Sequence, residues 1–276
     1  MAGILYLVPT PIGNLNDISP RCARTLAEAD FIAAEDTRVS LKLLNHLEIK
    51  KSLVSYHEHN KAESGEKILA RILGGETCAL VTDAGSPAIS DPGEDLVRLC
   101  AGHDVTVCAI PGPCALVTAL SISGLPTGRF TFEGFLSVNK KSRQEHLTGL
   151  KDETRTMIFY EAPHKLLSTL QDLAAAFGAE RKISLCRELT KLHEEVRRTT
   201  LGEAAAYYAG NPPRGEFVLV VAGAEAAAED GCTFEDALAL VRARMDEGLS
   251  TKDAVKQVAK LTGYAKNQLY DAILKG

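Results

Sequence analysis

Two consecutive segments of the sequence each have the pattern of a strand, a tight turn and a helix. In the first, the apolar run at residues 78–82 predicts a buried strand, which Gly85 and Pro87 interrupt. In the second, residues 105–110 predict a strand and residues 111–113 a turn before an apolar helix. Strands that alternate with helices are typical of α/β proteins with a largely parallel sheet.

The turn of the first unit has the composition of a ligand-binding loop. Gly85 lets the backbone come close to a bound molecule, and the segment then leads into a predicted helix. That helix should have Asp91 as its N-cap, Pro92 in its first position and Glu94 in the capping-box position. Strand-to-helix connections that bind nothing have the same pattern, so this turn alone leaves both interpretations open.

The turn of the second unit has similar features. Gly112 has no side chain that would block a ligand, and Cys114 and Ala115 open the following helix. Backbone amides at a helix N-terminus suit a carboxylate or hydroxyl groups. We therefore expect the two turns to face one crevice that holds a small polar cofactor, although an ordinary tight connection would also explain the second turn.

Length and composition predict a cytoplasmic protein without a membrane span. The chain of 276 residues is long enough for two domains, and it contains no run of about 18 apolar residues. Its first residues, MAGILYLVPT, lack the basic and long apolar regions of a secretory signal. The seven cysteines have no C-x-x-C spacing, which predicts reduced thiols rather than disulfides or a zinc ribbon.

Strand-like and helix-like runs alternate along most of the chain, which predicts two α/β domains at residues 1–122 and 123–226. The turn-rich residues 123–128 mark the boundary between them. An acidic stretch of small residues, 224–231, is predicted to be a linker. Residues 233–276 have a wholly helical pattern, with three short helices in helix-turn-helix spacing.

The net charge of −5 conceals a locally basic tail at residues 250–270, in which four lysines accompany a single acidic residue, Asp253. This balance favours contact with nucleic acid, although a solvated surface, a helical cap or a dimerisation arm would look the same. A second basic segment, residues 139–143, is predicted to be a loop. The four lysines of the tail are Lys252, Lys256, Lys260 and Lys266.

The run His57-Glu58-His59 has the residue types of a metal site. It has no companion Cys or His at zinc-like spacing, so a solvated loop is the better interpretation. The sequence therefore predicts no metal.

Six stretches of the sequence carry a family resemblance. They are YLVPTPIGNLNDIS from Tyr6, ADFIAAEDTR from Ala29, VTDAGSPAISDPG from Val81, IPGPCALVTALSISGLP from Ile110, FYEAPHK from Phe159 and CRELTKLHEE from Cys186. Together, and in this order, they resemble the ribosomal RNA small subunit methyltransferase I family of the tetrapyrrole methylase superfamily. The resemblance extends over essentially the whole chain.

The resemblance implies a fold and an activity. The fold is two α/β domains of the tetrapyrrole methylase type with S-adenosylmethionine in the cleft between them, plus a small helical unit. The activity is methyl transfer to the ribose 2′-hydroxyl of a cytidine in small-subunit ribosomal RNA, either naked or in the assembled subunit. The resemblance also implies a homodimer.

By position, the family's cofactor contacts fall on loops of the first domain and on strands of the second. Gly85-Ser86-Pro87 departs from the Gly-Asp-Pro of many relatives that methylate tetrapyrroles, so Ser86 would supply a hydroxyl or backbone contact instead of a carboxylate. With Gly112 added from the turn pattern, the predicted cofactor contacts are Pro9, Thr10, Ile12, Gly85, Ser86, Ile89, Gly112, Cys114, Ala115, Tyr160, Cys186 and Ala222.

A ribose hydroxyl is a poor nucleophile, so a base that accepts its proton should assist methyl transfer. Polar residues at predicted strand ends supply the candidates, and the base is expected among Glu35, Asp36 and Glu161. Arg38 or Arg187 would orient phosphate. Each carboxylate could equally be an N-cap or part of a structural ion pair.

Two other functions fit the same sequence. A methyltransferase that acts on a tetrapyrrole precursor would share the cofactor loops, but it would have no use for the helical tail. A ribosome assembly factor that binds RNA without catalysis would keep the fold and the tail.

Overall fold

The computed structural model describes residues 2–224 and 233–275. The chain divides into two compact units, Met1–Ala224 and Glu225–Gly276. The predicted linker lies outside the described residues except for Ala224, and so does the predicted domain end at residue 226. Among the helices of the described parts, none is long and apolar enough to cross a membrane.

The first sheet has five strands in the order β3-β2-β4-β1-β5. All neighbouring strands in it are parallel, as the sequence predicts. The carboxyl ends of these strands therefore share one edge of the sheet, where open parallel sheets bind ligands. The strands are β1 (Ile4–Leu7), β2 (Phe31–Ala34), β3 (Ser52–Ser55), β4 (Cys78–Val81) and β5 (Thr106–Ala109).

Helices cover both faces of this sheet, which explains why β2 and β4 are apolar at every position. Helices α1 (Pro20–Glu28) and α2 (Thr37–His46) contribute to the core on one face, around Leu26 and Leu44. Helices α3 (Lys61–Leu73) and α4 (Glu94–Ala101) contribute to the core on the other.

Helix α4 begins later than the sequence predicts, so the assignment of Asp91 as its N-cap is wrong. Its N-cap is Gly93, which has a φ of +149° that favours glycine. A Cβ at Gly93 would lie 3.0 Å from the Cβ of Ala88. The chain makes a further turn at this glycine, and Asp91 and Pro92 remain in the loop.

The second sheet has the order β6-β7-β10-β8-β9 and mixed strand directions. Strands β6 and β7 are parallel, whereas β10 is antiparallel to both of its neighbours and β9 is antiparallel to β8. Strand β9 was not predicted, because its sequence EVRRTT has the charges of an edge strand. The strands are β6 (Phe130–Phe135), β7 (Thr156–Glu161), β8 (Lys182–Arg187), β9 (Glu195–Thr200) and β10 (Phe217–Val221).

Helix α5 (Ala115–Ile122) packs on one face of the second sheet. The other face is covered by α6 (Lys140–Gly149), α7 (Leu166–Phe177) and α8 (Leu201–Gly210). The prediction of a basic loop at 139–143 is wrong, because these residues start α6. Asn139 caps that helix by accepting hydrogen bonds from the amides of Lys141 and Ser142.

The second unit consists of three helices in its described part, as predicted. Helix α9 (Phe234–Asp246) starts at a capping box formed by Thr233 and Asp236. Helix α10 (Thr251–Thr262) ends at Gly263, which is in the left-handed conformation, and α11 (Lys266–Lys275) follows. The buried apolar residues that these helices share are Ala237, Val241, Ala254, Val255, Val258, Ala259 and Leu269.

Candidate active site

A cavity of about 500 Å³ lies at the carboxyl edge of the first sheet and extends to the second sheet. The first sheet contributes the loops that follow β1, β2 and β4, and also the start of α5. The second sheet contributes the carboxyl ends of β6, β7 and β8 and the amino end of β10. The two sheets of this compact unit therefore supply different parts of the cavity lining.

The loops after β1, β4 and β5 are bonded to one another. Thr10 and Gly85 exchange two backbone hydrogen bonds, of 2.9 and 3.0 Å, and the Thr10 hydroxyl donates to the Thr82 carbonyl at 3.1 Å. The Ser86 hydroxyl donates to the carbonyl of Pro113 at 3.0 Å. The two turns singled out in the sequence thus meet at one site, as predicted.

Several residues of the cavity loops have a left-handed backbone. Gly85 has a φ of +87°, and a Cβ there would lie 3.3 Å from Ile12. Ala88 and Ser90 have φ values of +66° and +63°, and Glu188 after β8 has +52°. Such conformations cost non-glycine residues about 1–3 kcal/mol each and concentrate at functional sites. Their position here supports a binding role for these loops.

Three carboxylates, Glu35, Asp83 and Asp91, line the part of the cavity next to the first sheet. Glu35 accepts a hydrogen bond of 2.7 Å from the Thr82 hydroxyl. Burial raises the pKa of Asp91 to about 6, and the nearby charge of Glu35 adds to this effect. Burial and Glu35 also raise the pKa of Asp83. This wall is therefore suited to a cation and contains a carboxyl group that titrates close to neutral pH.

The second sheet contributes Tyr160 and Glu161 to the cavity. The Tyr160 hydroxyl oxygen accepts a hydrogen bond of 3.1 Å from the amide of Leu116 in α5. Burial raises the pKa of Tyr160, so the phenol stays neutral. Glu161 is only 4% exposed, and it accepts hydrogen bonds from the Thr169 hydroxyl and the Ala162 amide. Both side chains are thereby held in fixed positions.

Lys191 is the cation of the cavity lining. Its ammonium lies 2.9 Å from carboxylate oxygens of both Glu188 and Glu216. Burial alone would lower the pKa of Lys191, but its hydrogen bonds to these two carboxylates prevail and raise it. The lysine therefore stays charged, and it ties the loop after β8 to the start of β10.

Of the candidate catalytic residues, Glu35 and Glu161 line the cavity, while Asp36, Arg38 and Arg187 do not. Asp36 is the N-cap of α2 and pairs with Arg38. Its hydrogen bonds from the Arg38 side chain and backbone lower the pKa of Asp36 to about 2. Arg187 pairs with Glu195 on β9. Asp36 thus has the N-cap and ion-pair roles that the sequence left open for each carboxylate, and Arg187 is also part of an ion pair.

Eight of the twelve predicted cofactor contacts line the cavity, and three of the others support its loops. Pro9 and Thr10 are buried beneath the lining. The space in front of Gly112 is filled by Pro9, because a Cβ at Gly112 would lie 2.8 Å from the Pro9 Cβ. Gly112 is not among the residues that line the cavity and makes room for Pro9, and its contact with the cofactor stays a prediction. The eight lining residues are Ile12, Gly85, Ser86, Ile89, Cys114, Ala115, Tyr160 and Cys186.

Ala222 does not belong to the site, because β10 runs in the opposite direction to β7 and β8. Phe217 lies at the cavity edge, and Ala222 is five residues further along, roughly 17 Å away at the other edge. Its amide donates a hydrogen bond to the Lys182 carbonyl there. The cofactor contact predicted for Ala222 is wrong.

Sequence reasoning did not assign roles to several lining residues. The sequence assigns Asp91 to a helix cap. Glu35, Asp83 and Asp91 all follow predicted buried strands, however, and this recurrence of carboxylates indicates an acidic edge of the sheet. Phe135 is the last residue of β6 and Glu216 precedes β10, and only the strand directions identify the ends that face the cavity. Among the described residues, no group of His, Cys, Asp and Glu side chains is arranged to hold a metal ion.

Comparison with known proteins gives the family. Residues 4–205 match the family described as Tetrapyrrole (Corrin/Porphyrin) Methylases, and residues 233–276 match the RsmI C-terminal HTH domain. Ribosomal RNA small subunit methyltransferase I of Synechocystis sp. is 48% identical over 99% of this chain and 98% of its own length. The protein of the same name from Pseudomonas aeruginosa is 45% identical, with 99% and 98% covered.

Solved structures share the fold of the larger unit. Uroporphyrin-III C-methyl transferase from Thermus thermophilus, complexed with S-adenyl homocysteine, has a TM-score of 0.57 and 19% identity over 80% of this chain and 97% of that one. Diphthine synthase has a TM-score of 0.61 and 13% identity, with 80% and 90% covered. By fold and by sequence, the chain belongs to the tetrapyrrole methylases and, among them, to the ribosomal RNA small subunit methyltransferase I family.

Proposed function

We propose that this protein transfers a methyl group from S-adenosylmethionine to a ribose 2′-hydroxyl of a cytidine in small-subunit ribosomal RNA. The near full-length likeness to proteins named as ribosomal RNA methyltransferases supports the RNA substrate. The cytidine and the 2′-oxygen are the finer part of the proposal. The observation that supports methyl transfer from this cofactor is the cavity at the carboxyl ends of the strands, with its wall of three carboxylates.

The residues present fit this cofactor. Glu35, Asp83 and Asp91 complement a molecule that carries a sulfonium and an ammonium group. Gly85 allows close approach of the backbone, and the amides at the start of α5 suit the carboxylate or hydroxyls. When bound, the cofactor supplies an electrophilic methyl group. The remaining work of the chain is to align the acceptor oxygen, exclude water and take up a proton.

Asp91 is the best placed proton acceptor. It lines the cavity beside Glu35 and Asp83, and its raised pKa of about 6 is close to the working pH, where a base is most effective. Glu35 and Glu161 remain candidates because they also line the cavity. Asp36 is a weaker one, because its carboxylate is held by Arg38 and the pKa of Asp36 is low.

Arg38 is the better of the two proposed phosphate contacts. Its side chain is 87% exposed, so its guanidinium can still meet a phosphate while it pairs with Asp36. The guanidinium of Arg187 is committed to Glu195 and to the carbonyl of Arg214.

The helical unit is proposed to bind RNA. Lys252, Lys256 and Lys260 are exposed and spaced four residues apart on α10, so they form one stripe along this helix. A stripe of cations suits a phosphate backbone. A homodimer, in the cytoplasm, completes the proposal; sedimentation would test the dimer.

The main test is transfer of a tritiated methyl group from S-adenosylmethionine to small ribosomal subunits and to their naked RNA. Label in RNA, followed by nucleoside analysis that finds 2′-O-methylcytidine, is expected. Label in a tetrapyrrole precursor but not in RNA would favour the second candidate enzyme. RNA binding without cofactor binding in calorimetry would favour a non-catalytic assembly factor.

Gly85 provides a test of the cofactor site. Gly85→Val places a branched side chain on a left-handed backbone at the cavity wall, 3.3 Å or less from Ile12. We expect S-adenosylmethionine binding to weaken by at least about 100-fold, which corresponds to about 3 kcal/mol, as measured by calorimetry. Gly178→Val is the matched control, because Gly178 also has a left-handed φ, of +94°, lies outside the cavity lining, and has nothing within 4 Å of a Cβ. Equal affinity in both variants would remove Gly85 from the site.

A further inference from the structure

Phe135 is an aromatic residue on the cavity wall that is 57% exposed. It is the last residue of β6, at the edge of the second sheet that faces the cavity. A single exposed apolar residue on a protein surface needs no explanation. This ring differs because it belongs to the wall of the cavity that holds the candidate base.

A β-bulge determines where this ring points. The register between β6 and β7 shifts between Phe132 and Gly134, and Gly134 has a left-handed φ of +62°. In a regular strand, side chains three residues apart lie on opposite faces. Here Phe132 and Phe135 both contact the ring of Tyr160, at centroid distances of 5.0 and 5.6 Å. The bulge has therefore placed Phe135 on the same face of the sheet as Tyr160. Bulges next to active sites commonly redirect a side chain in this way.

The ring is held on one side and open on another. Tyr160 meets it in an edge arrangement with an interplanar angle of 64°, and Tyr160 is itself fixed by the Leu116 amide. Ser90 is close by, because its hydroxyl oxygen would lie 3.5 Å from a Cβ on Gly134. Phe135 and Ser90 both line the cavity, so the same cavity offers a stacking surface and a polar group to a planar, polar molecule.

We propose that Phe135 is a stacking platform for a nucleobase of the acceptor RNA at the cavity. Aromatic rings bind unpaired bases in this way, and stacking tolerates any base because every base has a flat face. The proposal rests on the proposed function and extends it: Phe135 positions the acceptor strand, while the carboxylates act on the hydroxyl. A single aromatic ring in a cavity that Ser90 also lines fits a base better than it fits a protein partner, which requires a broader apolar patch.

The absence of tryptophan from the whole sequence makes a direct test possible. Phe135→Trp introduces a single fluorophore at the proposed platform and keeps an aromatic ring there. Phe130→Trp is the matched control, because Phe130 is 40% exposed and lies at the other end of the same strand. Both variants are titrated with naked small-subunit ribosomal RNA in the presence of saturating S-adenosylhomocysteine. We expect quenching in the Phe135→Trp variant and little change in the control.

Kinetics supply the second readout. Phe135→Ala should raise the KM for RNA by about 5- to 150-fold, the range of base stacking by alanine substitution. It should leave the affinity for S-adenosylmethionine unchanged, and Phe135→Tyr should restore the KM. This pattern separates a stacking role from a structural role. In a structural role, loss of the side chain would alter the affinity for the cofactor, and the KM for RNA would not depend on an aromatic ring.

Other outcomes would overturn the proposal. Quenching by S-adenosylhomocysteine alone, with no further change on adding RNA, would mean that the ring covers the cofactor. A shift in sedimentation of Phe135→Ala would place the ring between two copies of the chain, and equal quenching in both tryptophan variants would show non-specific contact. Failure of the wild-type enzyme to label RNA would instead contradict the proposed function, and the fluorescence comparison would still report on stacking.

Discussion

Asp91→Asn is expected to lower kcat for RNA methylation by about 10²- to 10⁴-fold, the usual contribution of a general base. The amide cannot accept the proton of the ribose hydroxyl, while its shape preserves the loop. Measured against pH, wild-type kcat/KM, which reports the free enzyme, should fall below about pH 6, because the free carboxylate is lost as Asp91 takes up a proton. The residual activity of the variant should not show this step.

The same substitution should stabilise the ligand-free protein above pH 6. Because the folded-state pKa of Asp91 lies above its unfolded value of about 3.9, the folded protein binds the proton more tightly. The contribution of the Asp91 carboxyl to the free energy of unfolding is therefore fully present below about pH 4, and it is lost as the pH rises through 6. Asp91→Asn removes the cost of the buried charge, so the free energy of unfolding should rise by about 3 kcal/mol at pH 8 and not at pH 4.

A matched control distinguishes this role from a general effect of lost charge. Asp95→Asn removes a carboxylate four residues away that pairs with Lys61 and Arg98 outside the cavity lining, and its kcat should stay near that of the wild type. Glu35→Gln and Glu161→Gln test the other candidates. Glu35→Gln or Glu161→Gln could instead abolish methyl transfer, while Asp91→Asn retains activity that still falls at low pH. The base would then be that glutamate.

Replacement of the three lysines of the α10 stripe by glutamine is expected to weaken RNA binding about 100-fold at 0.1 M salt. Each phosphate contact to a single strand contributes about 0.7 to the slope of log K against log salt, so the slope should fall by about 2. Affinity for S-adenosylmethionine should not change, since the stripe lies in the helical unit and the cavity lies in the other unit. Filter binding over a range of salt concentrations measures both quantities.

The control removes the same charge elsewhere. Lys51, Lys151 and Lys182 lie at or near the amino-terminal ends of β3, β7 and β8, the edge of each sheet away from the cavity. Their joint change to glutamine should alter the slope little. An equal loss of affinity in both triple variants would show that net charge, rather than the stripe, attracts RNA. A stripe variant that binds like the wild type would leave the helical unit as a structural cap.

The sequence predicts the first sheet well for a physical reason. Strands buried on both faces, such as β2 and β4, are continuous apolar runs, and their alternation with helices requires parallel pairing. The same kind of run misleads for β10: its sequence FVLVV indicates burial but carries no information on direction. The antiparallel pairing therefore became known only from the structure, and Ala222 was placed at the wrong edge.

Local signals at the site were incomplete in a similar way. Asp91-Pro92 has the sequence of a helix start, but the left-handed turn at Gly93 delays the helix and leaves Asp91 in the cavity wall. Phe135 lies beyond a bulge, which shifts the alternation of side chains by one residue. In the structure Asp91 lies near Glu35 and Phe135 contacts Tyr160, and local pattern shows neither of these neighbours, which are distant in sequence.

The position of β10 between β7 and β8 also has a consequence for motion. This strand is hydrogen-bonded along its length to β7 on one side and to β8 on the other, so it joins the two strands that carry Tyr160, Glu161 and Cys186. Spreading these strands would break two ladders of buried hydrogen bonds at once, so this wall moves as a rigid block. A nucleotide that enters the cavity would therefore depend on movement of the loops that line it rather than of these strands.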